Sequence, residues 1–261
     1  MAEPDLSIVI PFFNEAENVA DVLAEVRACL PDAEIIAVDD GSTDGTWAAI
    51  TARYDVLGLR FASNQGQSAA TYFGLREAKG AYCGTMDGDG QNDPSDFPKL
   101  RAALEGKPRT VAVGRRARRQ DRWHRVAASR IANAVRSAFL HDGVSDTGCS
   151  LKVFPREAVD LLVPFNGLHR FLPPIFRHAG YAIVEVDVNH RPRARGVSKY
   201  TTWDRALRGL YDLVGVGWLL QRKLLQPNLT CRQPSAGLET RTEPLVMAET
   251  PRSSDSIGSR G

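Results

Sequence analysis

The chain has 261 residues, 43% hydrophobic and 25% charged, which is ordinary soluble composition and enough length for one substantial domain with appendages. A formal net charge of +2 excludes a strongly polyanionic or polycationic class, although six arginines stand against one acid, Asp121, between Arg115 and Arg125. Four cysteines without CxxC spacing (Cys29, Cys83, Cys149, Cys231) exclude a zinc ribbon and a disulfide framework. Neither a leader peptide nor an apolar run of about 18–20 residues is legible, so a reducing, cytoplasmic setting is expected.

In chain order, residues 6–12 (LSIVIPF) read as a buried strand and 16–29 as a helix. A second strand, 34–40 (EIIAVDD), ends at the turn GSTDG, followed by a helix over 46–54. A strand over 56–61, a helix over 67–78 and a strand over 81–86 lead straight into an acidic cluster. Strand–helix repetition with short loops predicts an α/β fold with a mostly parallel central sheet and helices on both faces. Ligands of such sheets bind beyond the carboxyl ends of the strands, where PFFNE, DDGSTDG and DGDGQND all fall. Further on come a helix (95–106), a strand (110–114) and a helix running from the arginine-rich segment to about residue 140. A strand (150–154), helical stretches over 156–162 and 169–179 and a half-exposed strand within 181–190 follow. A basic loop, RPRARGVSKY, leads to an amphipathic helix over 203–225. Residues 226–261, rich in Ser, Pro, Thr and charge, read as a disordered tail with an NLT glycosylation pattern at Asn228.

The segment MDGDGQNDP packs three carboxylates and two amides together, and such acids call for a cation among them. A calcium-binding EF-hand is excluded, because its sixth and twelfth positions require Gly and Glu where this chain has Asn92 and Pro98. Asp87 and Asp89, with Gln91 as a further oxygen donor, suit Mg²⁺ or Mn²⁺ bridging the diphosphate of a nucleotide sugar. Gly88 lets backbone and ligand approach closely. Glu15 and Asp40, just after the first two strands, suit hydrogen bonds from base and ribose, whereas Ser42 and Asp44 read as turn formers and caps.

Four segments in this order, IVIPFFNEAEN, VDDGSTDGT, MDGDGQNDP and HRPRARGVSKY, resemble the polyprenyl-phosphate glycosyltransferases of the dolichol-phosphate mannose synthase type. These are family 2 inverting glycosyltransferases with the GT-A nucleotide-diphospho-sugar transferase fold, and the likeness spans roughly residues 5–223. It implies a GT-A catalytic domain over 1–202. It places donor contacts at Pro11, Phe13, Glu15, Val38, Asp40, Asp87 and Gly88, and metal ligands at Asp87, Asp89 and Gln91. It further implies catalytic roles for Asp89, Arg193 and Lys199 at the diphosphate, and acceptor-phosphate contacts at Arg115, Arg125 and Ser129. Phe13 stands where mannose synthases often have Tyr. DTGCSLKVF is closer to bacterial undecaprenyl-phosphate sugar transferases, so GDP-mannose, the family's commonest donor, competes with UDP-linked uronic acids, glucose or amino sugars.

A polyprenyl phosphate is ionised at neutral pH and needs positioning rather than a general base; Asp146 could orient the site. In the 203–225 helix, Leu207, Leu210, Tyr211, Val214, Trp218 and Leu225 share a face, with Arg205, Arg208, Arg222 and Lys223 supplying charge. That pattern fits an in-plane interfacial helix, or one packed on the core. The expected partners are a nucleotide sugar, a polyprenyl phosphate and an anionic membrane touched peripherally at its cytoplasmic face, with no nucleic acid. Rivals are a saccharide-directed family 2 transferase, which would need a base, a non-catalytic subunit of the same fold, and a nucleotidyltransferase, whose early Gly-rich loop is missing from PFFNEAEN.

Overall fold

The computed structural model describes residues 4–116, 140, 143–192 and 202–222, with the side chains of the last segment from Tyr211 onward. Its strands are β1 (Leu6–Phe12), β2 (Glu34–Asp39), β3 (Leu57–Arg60), β4 (Tyr82–Thr85), β5 (Thr110–Arg116), β6 (Lys152–Pro155) and β7 (Ala182–Val188). The helices are α1 (Ala16–Cys29), α2 (Thr46–Thr51), α3 (Gln67–Glu77), α4 (Phe97–Ala102), α5 (Leu168–His178) and α6 (Thr202–Arg222). The arginine-rich segment beyond Arg116, the basic loop from Arg193 and the tail lie outside the described residues.

One seven-stranded sheet runs in the order β3-β2-β1-β4-β6-β5-β7. β1 pairs in parallel with β2 and β4, β2 with β3, and β5 with β7; only β6 runs antiparallel, between β4 and β5. The sheet is mostly parallel, as expected. β1 is apolar apart from Ser7 because both its faces are covered. Ile8 and Ile10 pack with Val19, Leu23 and Phe97, while Val9 faces Ala70, Leu75 and Phe176 across the sheet.

The predicted helix over 95–106 is shorter than its pattern. Asp93 Oδ1 accepts from Ser95 N at 3.1 Å and caps a 3₁₀ turn, Pro94–Asp96, before α4 ends at Ala102. The stretch 156–162 is likewise a 3₁₀ helix, Arg156–Leu161. α5 contains Pro173 and Pro174, so the carbonyls of His169 and Arg170 receive no N–H from four residues on in the helix ladder. On α6, Leu213, Val216 and Leu220 join the core, while Tyr211, Val214 and Trp218 are exposed. One face of this helix is therefore packed on the core, and the other presents exposed apolar side chains.

Candidate active site

The carboxyl ends of β1, β2 and β4 are stitched together before any ligand arrives. Asn14, at φ 51°, opens the β1–α1 turn; its Oδ1 accepts from Thr43 N at 2.8 Å, and its N–H donates to Ser42 Oγ at 2.9 Å. Asp44 accepts from Ala16 N at 3.2 Å and Thr46 N at 3.0 Å, so Ser42 and Asp44 have the turn and capping work read from sequence. Glu15 sits at the head of α1, where its Oε2 accepts from Asn18 Nδ2 at 2.5 Å.

Asp40 is buried. Its carboxylate accepts from Gln65 N at 2.7 Å, Gly66 N at 3.1 Å and Asn64 Nδ2 at 3.0 Å, so it shapes the turn that begins α3. Burial raises its pKa against those hydrogen bonds. Asp39 beside it accepts from Ser42 N at 2.9 Å and pairs with Arg60 at 3.1 Å. Pro11 reaches the site edge. Val38 does not: its side chain is fully buried in the sheet core, which leaves only main chain to meet a ligand.

The acidic segment leaves β4 in a braced turn. Thr85 Oγ1 donates to Ser150 O at 2.6 Å, while Asn92 Oδ1 accepts from Asp87 N at 3.2 Å and Ser150 Oγ at 2.9 Å. Gly88 is required by close approach: a Cβ there would stand 2.4 Å from the Phe12 ring and 2.8 Å from the Pro11 carbonyl. Gln67 Nε2 donates to Asp87 Oδ1 at 2.6 Å. Burial, then the charge of Asp89, pushes Asp87 up to about 6.

These residues fit a hard divalent cation. Two carboxylates that raise each other's energy are relieved by positive charge between them. Gln91 Nε2 donates to Arg191 O at 3.3 Å, which commits its amide nitrogen and keeps Oε1 as a donor oxygen. Among the described residues no group of three or more His, Cys, Asp or Glu gathers to hold an ion. A pair of carboxylates completed by substrate phosphates and water is the Mg²⁺ pattern.

The root of the basic loop is anchored to this same segment. Arg191 N donates to Gln91 O at 2.9 Å, His190 bridges to Asn92, and Asn189 N donates to Asp96 Oδ2 at 2.6 Å. The Arg191 guanidinium reaches Glu25 at 2.7 Å and Asp93 at 3.0 Å. Motifs about a hundred residues apart thus share one wall. Arg193 and Lys199, which follow this root, lie outside the described residues, as do Arg125 and Ser129.

Beside Asp87 opens a pocket of about 210 Å³, lined among others by Gln67, Thr147, Lys152, His169 and Arg170. Sequence reasoning named none of these five. Nor is Arg115 brought here, contrary to expectation. It pairs with Asp187 across the β5–β7 register at 2.7 Å and is half exposed. Arg116, pointing the other way along the strand, grips Asp146 through Nε at 2.7 Å and Nη2 at 2.8 Å. Its Nη2 also borders Gly148, which lines the pocket.

The model of Glycosyl transferase family 2 matches residues 7–162. A dodecaprenyl-phosphate galacturonate synthase of Rhizobium johnstonii is 36% identical over 235 residues, covering 84% of this chain and 68% of that protein. An undecaprenyl-phosphate 4-deoxy-4-formamido-L-arabinose transferase of Aeromonas hydrophila is 33% identical over 219 residues, 80% of this chain and 66% of that protein. The chain thus spans about two thirds of these relatives. Among solved structures, glucosyl-3-phosphoglycerate synthase of Mycobacterium tuberculosis, in complex with Mn²⁺, UDP and phosphoglyceric acid, shares the fold with TM-score 0.64. It is 20% identical and covers 83% of this chain and 78% of that one. With a family match over more than half its length and relatives above 30% identity, the chain belongs to glycosyl transferase family 2.

Proposed function

We propose that the protein transfers a glycosyl group from a nucleoside diphosphate sugar to a polyprenyl phosphate at a membrane surface. The observation that carries this reading is the shared wall of the Asp87–Gln91 segment and the root of the basic loop, beside a sugar-sized pocket. An acceptor phosphate oxygen attacks C1 of the sugar. The C1–oxygen bond breaks, its electron pair leaves with the nucleoside diphosphate, and the anomeric centre inverts. No proton has to move, so the engagement of Asp146 by Arg116 costs the reaction nothing.

A bound Mg²⁺ or Mn²⁺ would supply charge neutralisation for the departing diphosphate. Asp87, Asp89 and Gln91 Oε1 would hold it, with Gln67 orienting Asp87. Arg193 and Lys199 are assigned to the same diphosphate, and Glu15 and Asp40 to the nucleoside. Arg116 takes the acceptor-phosphate assignment in place of Arg115, alongside Arg125 and Ser129, because it borders the pocket.

No helix among the described residues is long and apolar enough to cross a membrane. Tyr211, Val214 and Trp218, exposed by 82%, 59% and 62%, form a stripe at i, i+3 and i+7. We assign that stripe to in-plane contact with the cytoplasmic leaflet. GDP-mannose, expected from the mannose-synthase likeness, is not the sugar that either named relative carries, so galacturonate and amino-sugar donors stand beside it.

The test is sugar transfer to a short polyprenyl phosphate across GDP- and UDP-sugars with Mg²⁺ or Mn²⁺, with and without chelator, and with Asp89→Ala. A chelator-sensitive glycolipid lost in the variant is expected. Transfer to a saccharide but never to the lipid phosphate would overturn the acceptor assignment.

A further inference from the structure

Past β7 the chain returns to the acidic segment and is fastened there at three successive residues. Asn189 N donates to Asp96 Oδ2 at 2.6 Å, His190 bridges to Asn92, and Arg191 N donates to Gln91 O at 2.9 Å. Gln91 Nε2 returns a hydrogen bond to Arg191 O at 3.3 Å, and Gln91 N donates to Asp89 Oδ1 at 3.1 Å. Gln91 thus stands between the Asp89 carboxylate and the main chain of Arg191. Bonds of this kind at a half-buried edge are readily exchanged for bonds to water, so something else has to hold the two segments together.

The Arg191 side chain does so. Its guanidinium spreads over two carboxylates from different elements: Nη1 donates to Glu25 Oε1 of α1 at 2.7 Å, and Nη2 meets Asp93 Oδ1 at 3.0 Å. Both anchors are firm. Glu25 rides on α1, whose Val22, Leu23 and Val26 are buried in the core. Asp93 Oδ1 also accepts from Ser95 N at 3.1 Å and Ser95 Oγ at 2.6 Å, and its Oδ2 accepts from Asn189 Nδ2 at 3.3 Å. A lone exposed ion pair would fix little, but here one planar fork joins two acids, and the Asp93 side chain is only 13% exposed. With both terminal nitrogens committed to carboxylates, Arg191 acts through its neighbours rather than as a phosphate ligand.

Resting on the glycosyltransfer reading above, we infer that Arg191 is a positioning residue for the nucleoside diphosphate: with Glu25 and Asp93 it clamps the root of the basic loop to the Asp87–Gln91 segment. The metal ligands and the basic residues that follow the root then meet one diphosphate. Arg193 comes two residues later, so the place of the root bounds how far it reaches. Releasing the clamp leaves each set of groups chemically intact but no longer aligned on the same phosphates. Glu15 and Asp40, assigned to the nucleoside, are held by Asn18 and by residues 64–66. The clamp should therefore be felt at the β-phosphate and not at the nucleoside.

The test is calorimetric binding to the full chain with Mn²⁺, comparing UDP with UMP and GDP with GMP, since the monophosphate lacks the β-phosphate. Arg191→Met, which keeps an extended stem and removes the fork, should weaken the diphosphate of the preferred nucleotide about 10-fold or more and its monophosphate less than about threefold. Glu25→Gln removes one anchor from α1 and should act in the same direction by about threefold, which keeps the inference testable if the arginine variant does not fold. Equal weakening of diphosphate and monophosphate overturns the inference and makes Arg191 a general support of the site. No weakening of either overturns it too and leaves a surface ion pair. Wild type that binds neither diphosphate refutes the donor site and the clamp together. Selective loss of diphosphate affinity in the variants, with no glycolipid from wild type under any donor, would refute the transfer reading and leave the clamp standing.

Discussion

Gly88→Ala tests whether the DGD segment owes its position to contact with β1. The added Cβ would lie 2.4 and 2.5 Å from two Phe12 ring carbons, where ordinary contact starts at 3.4 Å, so about 1 Å must be regained. Phe12 cannot supply it easily, being 1% exposed and packed among Ile10, Val19 and Met86. The Pro11 carbonyl at 2.8 Å closes the other side. The displacement falls on residues 87–89. Overpacking of this kind costs about 1–3 kcal/mol, and each kcal/mol lowers Tm by about 2–4 °C in a domain of this size. A shift of about 1 Å in the groups holding the diphosphate should cost turnover about 100-fold. Calorimetric Tm and kcat/KM at saturating metal read the two effects separately. Phe12→Leu in the Gly88→Ala background should recover part of both, since it frees the ring contact but not the carbonyl. Unchanged Tm and turnover in Gly88→Ala would refute the reasoning, and so would lost turnover that Phe12→Leu leaves untouched.

Gln67→Leu removes the 2.6 Å donation to Asp87 and should weaken apparent Mg²⁺ affinity about 10- to 100-fold, read from metal titration of transfer. Asp55 is held by Arg53 and Arg27 well below the usual carboxylate range. A depressed folded pKa means that its stabilisation is full above the unfolded value of about 3.9 and is lost as pH falls toward the folded one. Asp55→Asn should therefore be less stable than wild type by about 1 kcal/mol at pH 7 in urea unfolding, with a narrower gap at pH 3. Trp218→Glu should cut co-sedimentation with anionic vesicles about 10-fold at low salt; equal pelleting of variant and wild type would count against the exposed stripe as the contact.

The fold was legible because its signals are local. β1 and β2 are mostly apolar, α1 has the predicted bounds, and strand–helix alternation fixes a mostly parallel sheet whose carboxyl edge gathers the motifs. The acidic segment was legible too, since chemistry and spacing lie within nine residues. Val38, given a donor contact by its place in the family pattern, has its side chain in the core, so such a contact would fall to its main chain. Asp40 was read as a nucleoside ligand from charge, position and the family likeness, and in the structure it also holds residues 64–66.

What sequence reading missed depends on parity and on long-range pairing. In β5 successive side chains point to opposite faces, so choosing between Arg115 and Arg116 needs the register that sets Arg115 against Asp187. An arginine doublet carries no such information. Lys152 in SLKVF looks like the polar face of an edge strand, as alternation would have it. Its meaning changes only because β6 is inserted antiparallel between β4 and β5, where both flanks are covered and Thr85 lies directly opposite. There a lysine cannot reach water, and the same chemistry that reads as solvent-facing in one dimension becomes a buried charge beside Asp87. His169 and Arg170 arrive from α5 by a third route, through the Ser68 contact of α3, about a hundred residues away in sequence. The half of the site that would grip the diphosphate is written as contiguous motif. The pocket beside Asp87 is lined by single residues on β6, α3 and α5, which no contiguous motif announces.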